Sequence, residues 1–230
     1  MSQLSGGEAE QELYREIRRA IAERRLVPGI KLTEDSLASL FNVSRARVRK
    51  VLLILAKEHI VKQEPNRGAF VWRPSVIESR NILDARRLVE GYMVREAAKF
   101  ASPQQIAGLR AILVEEDKAR LDGEVAPMMR LSGEFHLKLG ECAQNPALWE
   151  FLNGLVSRSY LILAVYQRRD VRTCPQDDHR KIVDLVEAGD GAEAARWMEH
   201  HFDHIEAELD LVEESVAAKP GLKDILIAPR

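Results

Sequence analysis

Three histidines sit where their neighbours point inward. They are His136 in Glu134-Phe135-His136-Leu137, His179 in His179-Arg180-Lys181-Ile182, and His201 in Met198-Glu199-His200-His201-Phe202. His201 shares one helical stripe with Ala194, Met198, Ile205 and Val212, and His179 shares one with Ile182, Val183 and Val186. Both rings are therefore expected to face a core rather than water. Imidazoles supplied by separate helices of a bundle can converge on one divalent ion. Taken singly, each also fits a hydrogen-bonded core residue. Histidine donors make Zn2+ the first expectation, with Ni2+ and Mn2+ as the other fits. His200 and His204, four residues apart, are read as an exposed pair on the outer face of the same helix. Cys142 and Cys174 lack a metal or redox spacing and read as two reduced thiols.

A second constellation is cationic. Ser44-Arg45-Ala46-Arg47-Val48-Arg49-Lys50 opens a helix, with Arg45 and Arg49 on one face and Val48 and Val51 turned toward a core. A planar guanidinium matches O6 and N7 of guanine, and Ser44 can cap the helix while donating to a phosphate. Arg67-Gly68 lies at the tip of a short hairpin, where Gly68 permits backbone approach and Arg67 can reach a phosphate or the minor groove. These residues predict contact with double-stranded DNA.

The elements that must hold these groups are legible from periodicity and capping. Residues 1–10 are small, polar and acidic and read as a mobile arm. A helix over 11–24 carries Leu13, Ile17, Ala20 and Ile21 at helical spacing and ends at Pro28-Gly29. Thr33 precedes a short helix, Glu34 to Phe41, with Leu37, Leu40 and Phe41 inward, and Ser44 caps a second helix to about Glu58. Ile60-Val61, the turn Pro65-Asn66-Arg67-Gly68, and Ala69 to Trp72 form a hairpin. Helix, helix, helix, hairpin over 11–73 is the outline of a winged helix-turn-helix. Beyond Pro74 the pattern is helical throughout, near 75–99, 103–122, 126–143, 146–169, 175–188 and 191–215, with caps at Ser75, Ser102 and Asn145. The fold class is mainly α: an N-terminal winged helix-turn-helix, a bundle of about six helices over 74–215, and a tail over 216–230 whose Ile225-Leu226-Ile227 can dock.

Charge divides the chain the same way. Residues 11–73 hold 14 Lys/Arg against 7 Asp/Glu, and residues 74–230 hold 20 against 27. A basic first half and an acidic second half point to a polyanionic partner for the first alone. The longest apolar run, Tyr160 to Tyr166, is far short of the roughly 20 residues a membrane helix needs. The start of the chain lacks a secretory pattern. The sequence reads as cytoplasmic, with no membrane partner.

Residues 11–73 resemble the DNA-binding domain of GntR-type bacterial regulators. The likeness rests on Leu26-Val27-Pro28-Gly29-Ile30-Lys31-Leu32, Leu37-Ala38, Val43-Ser44-Arg45, Val48-Arg49 and Pro65-Asn66-Arg67-Gly68-Ala69-Phe70-Val71. Arg47 stands where the family usually has proline, and Asp35 where some relatives carry an operator-reading arginine. Residues 77–215 resemble the helical effector domain, FCD, of the FadR-like branch. Many such domains hold a metal through an Asp-x-x-x-His pair and two later histidines. His136, His179 and His201 match the histidine positions, while Ser132 replaces the aspartate. The resemblance implies a homodimer on a roughly palindromic operator. It also implies a small organic acid as effector, bound near Arg86, Ser132 and Tyr160. Arg86 admits two readings, a carboxylate clamp or an ion pair with Glu90, its i+4 neighbour. The function expected is that of a metabolite-responsive transcription regulator and not an enzyme. The alternatives are a DNA-binding dimer with a vestigial pocket, or a metal-dependent hydrolase.

Overall fold

The computed structural model describes residues 6–168 and 176–212. The chain opens with α1 (Gly6–Ala22), which buries Leu13, Ile17, Ala20 and Ile21 along one face. Next come β1 (Lys31–Leu32), α2 (Glu34–Phe41), α3 (Arg45–Lys57), β2 (Val61–Glu64) and β3 (Gly68–Val71). The three strands form an antiparallel sheet in the order β1-β3-β2, with Val61 opposite Val71 and Glu64 opposite Gly68. Gly68 has φ +97° at the wing tip, a backbone that side chains with a Cβ rarely adopt. Leu13, Ile17 and Ile21 meet Leu37, Val48, Leu52, Leu55, Ile60 and Val71 in one core. Apolar burial of this kind holds the three helices and the wing together.

The helical domain comprises α4 (Val76–Phe100), α5 (Pro103–Leu121), α6 (Val125–Cys142), α7 (Pro146–Tyr166), α8 (Gln176–Glu187) and α9 (Gly191–Ala207). Their starts follow from local chemistry. Ser75 with Glu78, and Ser102 with Gln105, make reciprocal capping boxes, so donors that α4 and α5 leave free are satisfied. Asn145 and Asp190 cap α7 and α9 through their side chains. Helix α4 is central and packs on α6, α7, α8 and α9. The core joins Leu83, Val94 and Ala97 to Leu109, Phe135, Leu139, Ile162, Ile182, Val183, Met198 and Phe202.

Several expectations change in detail. Helix α1 begins at Gly6, inside the stretch read as a mobile arm, because Ala9 is buried in the winged-domain core. Strand β1 escaped the sequence reading, since two residues carry no period. Leu40 is 77% exposed: α2 is only two turns long, and Leu37 and Phe41, four apart, make its contact with the core. Thr33 sits at the N-cap of α2 but bonds the Ser36 hydroxyl instead of a backbone N–H. Helix α9 stops at Ala207, where an antiparallel bridge ties Leu209 to Gln167, leaving Val212 exposed. Cys174 and the tail 216–230 lie outside the described residues.

Candidate metal centre and nucleic-acid interface

Helices α6, α8 and α9 bring His136, His179 and His201 together. His201 Nε2 lies 3.3 Å from His136 Nε2 and 3.2 Å from His179 Nε2, and all three side chains are buried. Each ring is held from behind by a carboxylate. His136 Nδ1 meets Glu90 Oε2 at 2.5 Å, His179 Nδ1 meets Glu116 Oε2 at 3.2 Å, and His201 Nδ1 meets Asp178 Oδ2 at 3.3 Å. Carboxylates only accept, so a neutral ring in this setting carries its proton on Nδ1 and turns the lone pair of Nε2 toward the other two. Three lone pairs aimed at one point repel one another, and a cation among them removes that repulsion. Outer carboxylates of this kind also fix the tautomer of metal-ligating histidines. The donor set fits a divalent ion.

The electrostatics agree. Burial disfavours the imidazolium and pushes His136 down to about 4, with Glu90 opposing. Burial and then the neighbouring His179 push His201 down to about 3. Burial works to raise Glu90, but the charge of Arg86 and then His136 overcome it and bring the carboxyl down to about 2. His136 and His201 are thus neutral, and competent as ligands, at physiological pH.

Beside the triad lies a cavity of about 40 Å³, lined by Arg86, Glu116, Ser132, His136 and Tyr160 among others. Ser132 is one helical turn before His136 on α6. Arg86 makes the ion pair with Glu90 that was one of its two sequence readings. Its Nε donates to Glu90 Oε1 at 2.6 Å, while its buried Nη2 has no hydrogen-bond partner. A guanidinium nitrogen left unpaired in a buried site is costly and suits an anionic oxygen. Tyr160 enters α6 at Gly133, where a Cβ would overlap its hydroxyl. Tyr160 also lines a cleft of about 550 Å³ between α1 and the helical domain, so one ring borders both spaces.

On the winged domain Ser44 caps α3 by accepting from Arg47 N at 3.4 Å. The side chains of Arg45, Arg47, Arg49 and Arg67 are all exposed. Each is paired with an acid of the same domain. Arg45 Nε lies 2.5 Å from Asp35, and Arg49 grips both oxygens of Glu34 at 2.9 and 2.8 Å. Arg47 faces Glu10 at 3.5 Å, and Arg67 pairs with Glu64. Exposed pairs of this kind contribute little, and phosphate or guanine can displace them.

Residues 9–71 match the gntR family of bacterial regulatory proteins, and residues 81–204 match the FCD domain. The chain belongs to the GntR family and carries an FCD domain. Among GntR-type relatives, it is 27% identical over 198 residues to the HTH-type transcriptional repressor RspR of Escherichia coli K12, covering 85% of this chain and 86% of that protein. It is 29% identical over 187 residues to the Nta operon transcriptional regulator of Aminobacter aminovorans, covering 77% and 85%. The fold matches that of E. coli McbR/YncC with a TM-score of 0.78 at 18% identity, covering 89% of this chain and 97% of that one. It matches a GntR regulator from Rhodococcus sp. RHA1 with a TM-score of 0.75 at 22% identity, covering 86% and 95%. The GntR and FCD families are transcription regulators, not enzymes, which sets the hydrolase alternative aside. This GntR chain is a DNA-binding transcription regulator, and no helix among its described residues is long and apolar enough to cross a membrane.

Sequence reasoning placed the three histidines and named Glu90 as a partner for Arg86, but missed its contact with His136 and missed Glu116 and Asp178. The signal for Glu90 and Glu116 was a charge inside an apolar stripe: Glu90 falls in line with Leu83, Val94 and Ala97, and Glu116 with Leu109 and Leu113.

Proposed function

We propose that this regulator binds a two-fold operator as a homodimer in the cytoplasm, and that a small organic acid bound beside a divalent ion in the FCD domain sets its operator affinity. The observation that carries the proposal is the convergence of three buried Nε2 atoms, one of them on His136, which lines the same cavity as Arg86, whose buried Nη2 has no hydrogen-bond partner. His136, His179 and His201 would hold the ion, with Zn2+ the best fit and Ni2+ or Mn2+ the others. The ion supplies an open, positively charged position for an anionic oxygen. Ser132 is too weak a donor to replace a carboxylate, so its corner takes a water or the acid itself. Arg86 clamps the acid, and Tyr160 closes the cavity. An Arg86 nitrogen kept buried and unpaired argues against a vestigial pocket.

Ser44, Arg45, Arg47, Arg49, Arg67 and Gly68 form the operator surface, with α3 in the major groove and the wing on the backbone. Leu88 and Tyr92, one turn apart on α4, are exposed and suit burial against a second copy. The test uses the full chain purified without chelator. Expected are about one stoichiometric ion, lost in His136→Ala, and carboxylates that raise the melting temperature and change operator affinity in ion-loaded protein alone. A chain that holds no ion when offered Zn2+, Ni2+ or Mn2+, and responds to no carboxylate, overturns the reading.

A further inference from the structure

A second cluster of donors lies outside the buried triad. His200 and His204 are one turn apart on α9, with ring centroids 4.1 Å apart. Asp178, near the start of α8, places Oδ2 2.8 Å from His204 Nδ1. One donor atom from each of Asp178, His200 and His204 lies within 4.8 Å of the other two. Asp178 is buried, His204 half-buried and His200 exposed, so the cluster has a buried carboxylate floor and a solvent-facing rim. A hydrogen bond between Asp178 and His204 alone would leave His200 without a part, yet its ring lies against that of His204 at an interplanar angle of 58° and offers a donor atom to the same cluster.

We propose that Asp178, His200 and His204 form a second site for a divalent transition metal. The site is open to solvent, binds more weakly than a buried centre, and is linked to the histidine triad through Asp178. Two imidazoles and one carboxylate select Ni2+, Zn2+ or Cu2+ over Mg2+ and Ca2+, which prefer all-oxygen shells. The open rim lets water complete the coordination and lets the ion exchange with free metal. The link is direct: the oxygen facing His204 is also the one 3.3 Å from His201 Nδ1. A metal taking that oxygen competes for the electron density that orients His201. Free metal in the medium thereby acts on the inner site without entering it.

Trp197 provides a built-in reporter. Its ring stands edge-on to His200 at 5.3 Å, close enough for bound Ni2+ or Cu2+ to quench its fluorescence. The experiment titrates the full chain with Ni2+, following Trp emission and counting bound metal by equilibrium dialysis. Expected is a weak equivalent in the micromolar range whose binding quenches emission. His200→Gln and His204→Gln, both toward the surface, should each weaken it at least 10-fold. Asp178→Asn should weaken it by a similar factor and also loosen any tight equivalent by about 10- to 100-fold. Trp197→Phe should abolish the quenching but keep the metal count, while His179→Gln should leave the weak equivalent in place. A weak equivalent that survives the His200→Gln/His204→Gln double variant, or no equivalent beyond the one lost in His179→Gln, overturns the proposal. An unsubstituted chain that binds the weak equivalent but no tight one would instead refute the buried centre, so the two failures are distinguishable.

Discussion

Arg18 of α1 donates from Nη2 to Oδ1 of Asn153 on α7 at 2.7 Å, joining the winged domain to the helical domain. The same nitrogen bonds Ser157, while Nη1 donates to the Tyr14 hydroxyl at 2.6 Å, which in turn donates to Glu58 at 2.7 Å. The clasp thus runs from α7 to the end of the recognition helix α3. It borders the cleft that Tyr160 also lines. A change at the effector cavity can reach DNA only through contacts that differ between two states. Arg18→Ala should therefore reduce the effector-induced change in operator affinity by about 0.5–2 kcal/mol of coupling while leaving metal content unchanged. Fluorescence anisotropy with labelled operator, with and without effector, checks this. Undiminished regulation in Arg18→Ala would exclude the clasp as the link.

The acid partners of the DNA-facing arginines make a second prediction. Arg45→Ala and Arg49→Ala should each weaken operator binding about 5- to 100-fold and relax specificity at one position per half-site. Arg67→Ala should weaken binding to all sequences more evenly. Asp35→Ala, which frees Arg45 and removes a negative charge from the interface, should tighten binding and steepen its salt dependence. Binding measured across a salt series separates these outcomes, and a weakened Asp35→Ala would show that the carboxylate itself contacts a base.

Ser132→Asp returns a carboxylate to a position one turn from His136. It should raise metal affinity at least 10-fold and weaken the carboxylate effector, because the two oxygens would compete for one corner of the ion. Metal competition against a chromophoric chelator reads the first effect, and thermal shift with the effector reads the second. Unchanged metal affinity would mean that residue 132 does not face the ion.

Gly133→Ala places a methyl group where the Tyr160 hydroxyl now stands. The ring must leave its slot in α6, at a cost of about 1–3 kcal/mol typical of overpacking. The melting temperature should fall, and the effector response should be lost even where metal remains. A variant with normal stability and response would show that the slot is dispensable.

Stability of the metal-free protein should depend on pH in a defined direction. Folding lowers His136 from 6.5 to about 4 and His201 from 6.5 to about 3, burial being the leading cause for both. Between those values and about 6.5 the unfolded chain binds more protons than the folded one, so stability drops as pH falls through this window. Chelator-treated protein should melt markedly lower at about pH 5 than at pH 7. The His136→Asn/His201→Asn double variant should lose most of that slope. Equal slopes in the two proteins would show that these rings do not control it.

The sequence by itself determined the features that rest on neighbours a few residues apart. The caps Ser75, Ser102 and Asn145 bond backbone N–H groups three residues on, and the Val43-Ser44-Arg45 and Pro65 to Val71 stretches read as a winged helix without knowledge of the rest. The inward direction of His179 and His201 followed from the helical period alone. Only the tertiary structure decided which groups stand behind those rings. Glu90 is 46 residues from His136 and Glu116 is 63 from His179, and Asp178, though adjacent to His179, serves His201 23 residues away. It also decided that Leu40 is exposed, that β1 exists, that α9 ends at Ala207 and that Tyr160 borders two spaces at once. The physical reason is common to all of these. A helical period gives the direction of a side chain from its own axis, whereas the identity of what it meets depends on how separate helices cross and slide, which packing over the whole core sets.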